Sequence, residues 1–418
     1  MATPERRLRC LPAAVSAAAL AVTLAAAGCG AASAGQARGT ASPSHPAHPA
    51  SKPAAAVPAR PAAPATPSCP AAVYSRMTEA QRVGQLFLVG LGTDQLDPAT
   101  AAAIRSGHFG SVLFGTTSHA GITGTRAVTD AVQSLASAQA TAGVRFLVAA
   151  NQEGGQVQQL QGPGFAAIPA ALDQGLVAPS VLQRQAAGWG QQLRLTGVNL
   201  DLGPVMDVVP SGTDQENAPI GMLQREFGHD PGTVAAHGVA FARGMGQAGV
   251  ATTAKHFPGL GRVRANTDFS SGVADTVTTP DDPYLQSFQA AISAGVPFVM
   301  VSLATYTRID RQHLAVFSAP VMQTILRQRL HFGGVIVSDD MGAATAVGGV
   351  SPAARAIGFL AAGGDLITSV SVPVAAAMDS AVLQRAAHDA AFRGEVGAAV
   401  MRVLAAKQAS GLLPCAAG

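Results

Sequence analysis

Eight short apolar runs, at 87–91, 111–114, 146–150, 198–202, 252–256, 298–303, 335–338 and 365–368, recur along the chain, each followed by a stretch compatible with a helix. The runs are continuous instead of alternating, which is the pattern of parallel strands buried on both faces with helices crossing between them. Eight such units predict an α/β fold, a closed (β/α)8 TIM-type barrel forming a single catalytic domain. An open, doubly wound sheet is the alternative. Its Gly-rich phosphate turn is missing after the first run, where Gly90-Leu91-Gly92 leads into Thr93-Asp94-Gln95 without a third glycine.

The 418 residues are 48% hydrophobic and 12% charged, enough for one large core. The net charge is only +3, and the basic residues are scattered arginines with no basic run interleaved with aromatics, so no nucleic-acid partner is expected. Arg6-Arg7-Leu8-Arg9, an apolar stretch over 11–27 and Ala26-Ala27-Gly28-Cys29 form an export signal over residues 1–28. It resembles a bacterial lipoprotein signal, with Cys29 lipidated and the N-terminal lipid as the one membrane attachment. Because Ala26 stands where such signals carry Leu, a plain secretory signal cut nearby is the alternative. Either way the mature chain is expected to be extracytoplasmic. Residues 29–68 are almost entirely Ala, Pro, Ser and Gly, too poor in apolar surface to fold, and read as a disordered tether. Cys69 and Cys415 bracket the barrel domain, 69–418. In an oxidising compartment two such thiols are expected to pair, since the termini of a closed domain often lie close together.

In a barrel of this kind function collects just beyond the C-terminal ends of the strands. There the chain carries Asn151-Gln152-Glu153-Gly154-Gly155, then Asp207, Lys255 with His256, Ser302, and Ser338-Asp339-Asp340. The densest stretch is Thr253-Ala254-Lys255-His256-Phe257-Pro258-Gly259-Leu260-Gly261, where an apolar run ends in a cation and an imidazole, Pro and Gly turn the chain, and Asp268 follows. Lys255 is one of only three lysines, and burying an amine at a strand edge is costly. No His, Cys and carboxylate group has metal-site spacing, so metal-free chemistry without a cofactor is expected. Plainer roles exist for several of these residues. Asp340 can cap the following helix, Arg225 can be a solvated residue paired with Glu226, and His256 can be a hydrogen-bonded core histidine. Glu153 reads best as a brace for the Gly154-Gly155 turn through backbone amides.

Taken together, Lys255 to Gly261 with Asp339, Gln152-Glu153-Gly154-Gly155 before Val157-Gln158, Gly203-Pro204-Val205-Met206-Asp207-Val208, and Arg225-Glu226-Phe227-Gly228 resemble glycoside hydrolase family 3 over 77–412. The likeness is to its single-domain β-N-acetylglucosaminidase (β-N-acetylhexosaminidase) branch, lipoprotein type. It implies a monomeric retaining exo-β-glycosidase acting on terminal N-acetylglucosamine of cell-envelope or peptidoglycan-derived glycans. Asp339 would be the nucleophile that forms a covalent glycosyl-enzyme, and Arg225, Lys255 and His256 would bond sugar hydroxyls.

The chain departs from that branch in two places. Where the branch carries Asp-x-His, with the His as general acid/base, this chain has Asn266-Thr267-Asp268. A carboxylate and a guanidinium that grip the sugar have become the amides of Asn151 and Gln159. Asp268 is therefore expected to act as acid/base, its pKa raised by burial or by Asp339. A carboxylate there also repels phosphate as an acceptor, which favours hydrolysis over phosphorolysis. A catalytically impaired relative that binds glycan without cleaving it is the rival reading.

Overall fold

The computed structural model describes residues 68–92 and 94–415; the export signal, Cys29 and the tether before Ser68 lie outside the described residues. Eight parallel strands form one sheet: β1 (Phe87–Leu91), β2 (Ser111–Phe114), β3 (Leu147–Ala150), β4 (Leu200–Asp201), β5 (Ala251–Phe257), β6 (Phe298–Val301), β7 (Val335–Ser338) and β8 (Ile367–Ser369). Neighbours in sequence are neighbours in space, and β8 pairs with β1. A parallel bridge between Val337 and Leu366 joins β7 to the entrance of β8 and completes the ring. This is the TIM-type barrel, and every strand grows from one of the eight apolar runs.

The strands form where they do because their side chains have nowhere else to go. Leu88, Val89, Val112, Val148, Leu200, Val299 and Ile336 are all fully buried, packed inward against one another or outward against helices. Caps fix the helix starts: Asp97, Asp230 and Ser351 accept backbone N–H groups at the heads of Pro98–Ser106, Pro231–Gln247 and Pro352–Ala361. Each of these helices opens on a proline, whose missing N–H is one the first turn could not use.

The N-terminal end of the barrel is closed by polar groups. Lys407, fully buried on the helix Ala390–Ala409, donates to Gln85 Oε1 at 2.7 Å, to the Gly110 carbonyl at 2.6 Å and to the Arg145 carbonyl at 3.3 Å, gripping the chain just before β1, β2 and β3. Burial lowers its pKa to about 7. Asp365, ahead of β8, is held by Arg327 and by Arg402 at 2.7 Å. A disulfide joins Cys69, at the head of the helix Cys69–Arg76, to Cys415 beyond the last helix. Among the described residues no helix is long and apolar enough to cross a membrane.

Candidate active site

A cavity of about 390 Å³ opens at the C-terminal face of the barrel, and Asn151, Gln159, Arg225, Lys255, His256, Asp268 and Asp339 all line it. The C-terminal ends of β3, β5 and β7 supply Asn151, the Lys255–His256 pair and Asp339. Consecutive strand residues ordinarily point to opposite faces, yet Lys255 and His256 both reach the cavity. A register shift between Ala254 and Phe257 accounts for this, because a bulge re-aims the side chains next to it.

On the cavity floor Glu153 is buried beneath two cations. Arg225 forks onto it, Nε to Oε2 and Nη2 to Oε1, both at 2.8 Å, and Lys255 Nζ lies 2.6 Å from Oε1. Glu153 therefore does not brace the glycine turn through backbone amides, as its sequence neighbours suggest; it is the counter-ion of the floor. Burial works to raise its pKa, but Arg225 and Lys255 outweigh that and hold it near 2. Gly154 turns the chain behind it at φ +110°, a conformation that favours glycine. Arg225 pairs with this carboxylate and not with the adjacent Glu226, and its Nη1 donates to the Pro219 carbonyl at 2.8 Å.

The amide positions act on this same group. Asn151 Oδ1 accepts from Lys255 Nζ at 2.6 Å, and Gln159 Oε1 accepts the backbone N–H of Asn151 at 2.8 Å. His256 is a bonded histidine that also faces the cavity. Its Nδ1 lies 2.8 Å from Asp207 Oδ2, and Asp207 Oδ1 accepts the N–H groups of His256 and Leu260 at 3.1 and 2.8 Å. On the other side of the ring, Nε2 lies 3.5 Å from Arg225 Nη2.

Asp339 and Asp268 stand at the mouth. Asp339 follows β7 and accepts the Asp340 N–H at 2.9 Å. Asp268 comes from the long loop after β5, and that loop is docked: Thr345 and Ala346 donate backbone N–H groups to the carbonyls of Asp268 and Thr267 at 3.0 and 3.1 Å. Asn266 Oδ1 accepts the Asp268 backbone N–H at 2.9 Å, so the amide orders the turn on which Asp268 lines the cavity. Solvent still reaches Asp268, but the protein packed around it, and after that the charge of Asp339, push its pKa up to about 6, against the pull of His256 and Arg225. Phe269, 80% exposed, and Val370 form an apolar rim beside it.

Two further strand-end residues serve the scaffold. Ser302 is fully buried and bonds the Tyr306 hydroxyl at 3.0 Å, which in turn donates to the Gly259 carbonyl at 2.8 Å. Asp340 lines the cavity but caps a turn, not a helix, accepting from Gly342, Ala343 and Val370 N–H groups at 2.9, 3.0 and 2.9 Å.

Sequence reasoning missed other contributors. Buried Asn217 donates to the carbonyls of Leu260 and Val263, both at 2.7 Å, and accepts from Ile220 and Gly221 N–H groups at 3.0 and 2.8 Å. It thereby clips the loop presenting Pro219 to the one that follows β5. Gly261 is the close-approach point between that second loop and the Val208 carbonyl, where a Cβ would lie 1.9 Å from the oxygen. Asp201, at the end of β4, is fully buried and accepts the Gln152 N–H at 3.0 Å. Burial raises its pKa to about 7. Asparagine and aspartate in loops are too common for local sequence to single out Asn217 and Asp201, whereas Gly261 belongs to the glycine turn already noted after Lys255.

A TIM-type barrel whose mouth carries two carboxyl groups above a floor of paired cations and amides has the arrangement of a glycosidase. The Glycosyl hydrolase family 3 N terminal domain matches residues 78–406, and the chain belongs to that family: it is a glycoside hydrolase. The Beta-hexosaminidase of Xylella fastidiosa is 35% identical over 268 residues, 61% of this chain and 76% of its own length. That of Methylococcus capsulatus is 36% identical over 244 residues, 56% of this chain and 69% of its own length. The crystal structure of Beta-N-acetylhexosaminidase from Beutenbergia cavernae is 48% identical, with a TM-score of 0.79 over 79% of this chain and 99% of that one.

Proposed function

We propose that this glycoside hydrolase is a retaining exo-β-N-acetylhexosaminidase that removes terminal N-acetylglucosamine from cell-envelope or peptidoglycan-derived glycans. Asp339 is its nucleophile and Asp268 its acid/base. One observation carries the reading of chemistry: the Asp268 loop is bonded to the loop behind Asp339, so both residues line one cavity, where burial and the Asp339 charge raise the Asp268 carboxyl. Two carboxyl groups lining one sugar-sized cavity, one of them able to hold a proton, are what a double-displacement glycosidase requires. The relatives named above support the sugar. The export signal and Cys29 support an extracytoplasmic protein tethered by an N-terminal lipid.

In the first step protonated Asp268 gives its proton to the leaving oxygen as Asp339 attacks the anomeric carbon. In the second, ionised Asp268 takes a proton from water, which displaces Asp339. Lys255 commits two of its three N–H donors to Glu153 and Asn151 and has a third for a sugar hydroxyl. His256, its ring fixed by Asp207, offers Nε2 as a hydrogen-bonding partner for another hydroxyl. The floor is thus set before substrate arrives, and bonds that tighten as the ring approaches an oxocarbenium ion stabilise the transition state.

Turnover of an aryl N-acetyl-β-glucosaminide, compared with other aryl glycosides, is the test. We expect this sugar to be preferred, free sugar rather than sugar 1-phosphate as product in phosphate buffer, and loss of about a thousandfold or more in Asp339→Asn. Full activity in that variant would remove Asp339 from the chemistry, and preference for another glycoside would reject the substrate.

A further inference from the structure

Behind the sugar cavity lies a cluster that the glycosidase chemistry does not use. Glu226 is 0% exposed and does not line the cavity, and among the described residues neither of its carboxylate oxygens has a hydrogen-bond partner. It faces Asp214 and His229, with one ligating atom from each of the three within 4.8 Å of the others. Asp214 Oδ1 is also buried without a hydrogen-bond partner, and His229 Nδ1 lies 3.6 Å from it. The Val209 carbonyl oxygen is 3.2 Å from the same ring nitrogen.

Two carboxylates turned toward each other, one of them fully buried, are unfavourable unless positive charge lies between them. The spacing suits a metal. Bonds of about 2.1 Å in a tetrahedral shell put neighbouring ligand atoms roughly 3.4 Å apart, and the two distances at His229 Nδ1 bracket that value. Two carboxylates and an imidazole, with no thiolate, suit a borderline divalent ion such as Zn²⁺. Reading spacing alone finds no such site, because Asp214 lies on a separate arm of the loop from Glu226 and His229.

We propose that Asp214, Glu226 and His229 form a binding site for a divalent cation of the zinc class, with the Val209 carbonyl as a fourth ligand. The ion cross-links both ends of the segment 214–229, whose middle supplies Pro219 and Arg225 to the sugar cavity. Its role is to position that loop; the cluster is separate from the reacting carboxyls.

The test is calorimetric titration of the chelator-stripped, dialysed protein with Zn²⁺ alone, with melting temperature as a second readout. We expect one ion per chain at micromolar affinity or tighter and a higher melting temperature. Glu226→Gln and His229→Ala should each weaken binding at least tenfold, while Asp339→Asn should not. His229 is partly exposed, so its variant stands as the measurement if Glu226→Gln fails to fold. Absence of stoichiometric uptake, or uptake unchanged in His229→Ala, overturns the proposal, leaving a proton shared by Asp214 and Glu226. Uptake lost only in Asp339→Asn overturns it too, by moving the ion to the catalytic carboxyls.

Discussion

Lys255 and Arg225 bring two positive charges to the cavity floor, and Glu153 meets both with one carboxylate. Replacing it by Gln keeps the shape and strands the cations, so Glu153→Gln should lose about 3–5 kcal/mol in denaturant unfolding, together with most activity. Glu153 is held near 2, below its ordinary 4.5. A depressed carboxyl adds stability that is present above pH 4.5 and is lost as pH falls through 2. That part of the acid-unfolding limb should disappear in the variant, and an unchanged limb would mean that the pair contributes nothing. Sequence could not reveal this role, since Arg225 is 72 positions away and Glu153 adjoins two glycines that suggest a local one. Asn151 and Lys255, 104 positions apart, meet across β4 for the same reason: the strand ends of a barrel converge on one face whatever separates them along the chain.

At the scale of elements, strands were easier to read than loops. A parallel strand buried on both faces must be apolar throughout, so its existence shows in composition. Its ends are set by hydrogen-bond register, and the runs at 198–202 and 365–368 resolve into the shorter Leu200–Asp201 and the shifted Ile367–Ser369. The loops are positioned by single polar side chains and backbone bonds that leave no periodic signal. Asn217 is the clearest case, with two hydrogen bonds across to the loop after β5 and two within its own loop. Asn217→Ala leaves buried carbonyl and N–H groups unmet, each worth about 1–3 kcal/mol. We expect a lower melting temperature and a higher KM, because Pro219 and with it Arg225 lose their support. A variant with wild-type KM would show that the clip does not position Arg225.

For the molecule as a whole, the barrel's two ends divide the labour. The C-terminal mouth carries the carboxyls, while Lys407, the pair of arginines on Asp365 and the Cys69–Cys415 disulfide secure the opposite end. The backbone near the disulfide is stitched to the entrance of β3 by Arg145 N–H to the Leu412 carbonyl at 2.9 Å. Replacing both cysteines by serine frees a loop of 346 residues in the unfolded chain and should cost about 2–4 kcal/mol, with kcat/KM on an aryl glycoside unchanged at 25 °C. Lost activity in a folded variant would show that the two ends are coupled. The fold was legible, and so were Asn151, Lys255, His256 and Asp339 as cavity residues, because strand ends converge on one face; Gln159, Arg225 and Asp268 were placed there only through the likeness to the family. The Asp214, Glu226 and His229 cluster was not, because it depends on how an irregular loop folds back on itself.

Asp268 stands where the family's imidazole is expected, and the chemistry rests on its being able to give and take a proton. The most direct measurement is kcat/KM against pH for wild type and Asp268→Asn, on a natural glycan and on an aryl glycoside whose leaving group needs no proton. Glycosyl transfer needs Asp268 protonated, so wild type should lose activity on the glycan as pH rises through about 6. The variant should lose about 10²- to 10⁴-fold on the glycan, far less on the aryl glycoside, and should lack that limb. Equal losses on both substrates, or a limb near pH 6 that survives without the Asp268 carboxyl, would contradict its role as the acid.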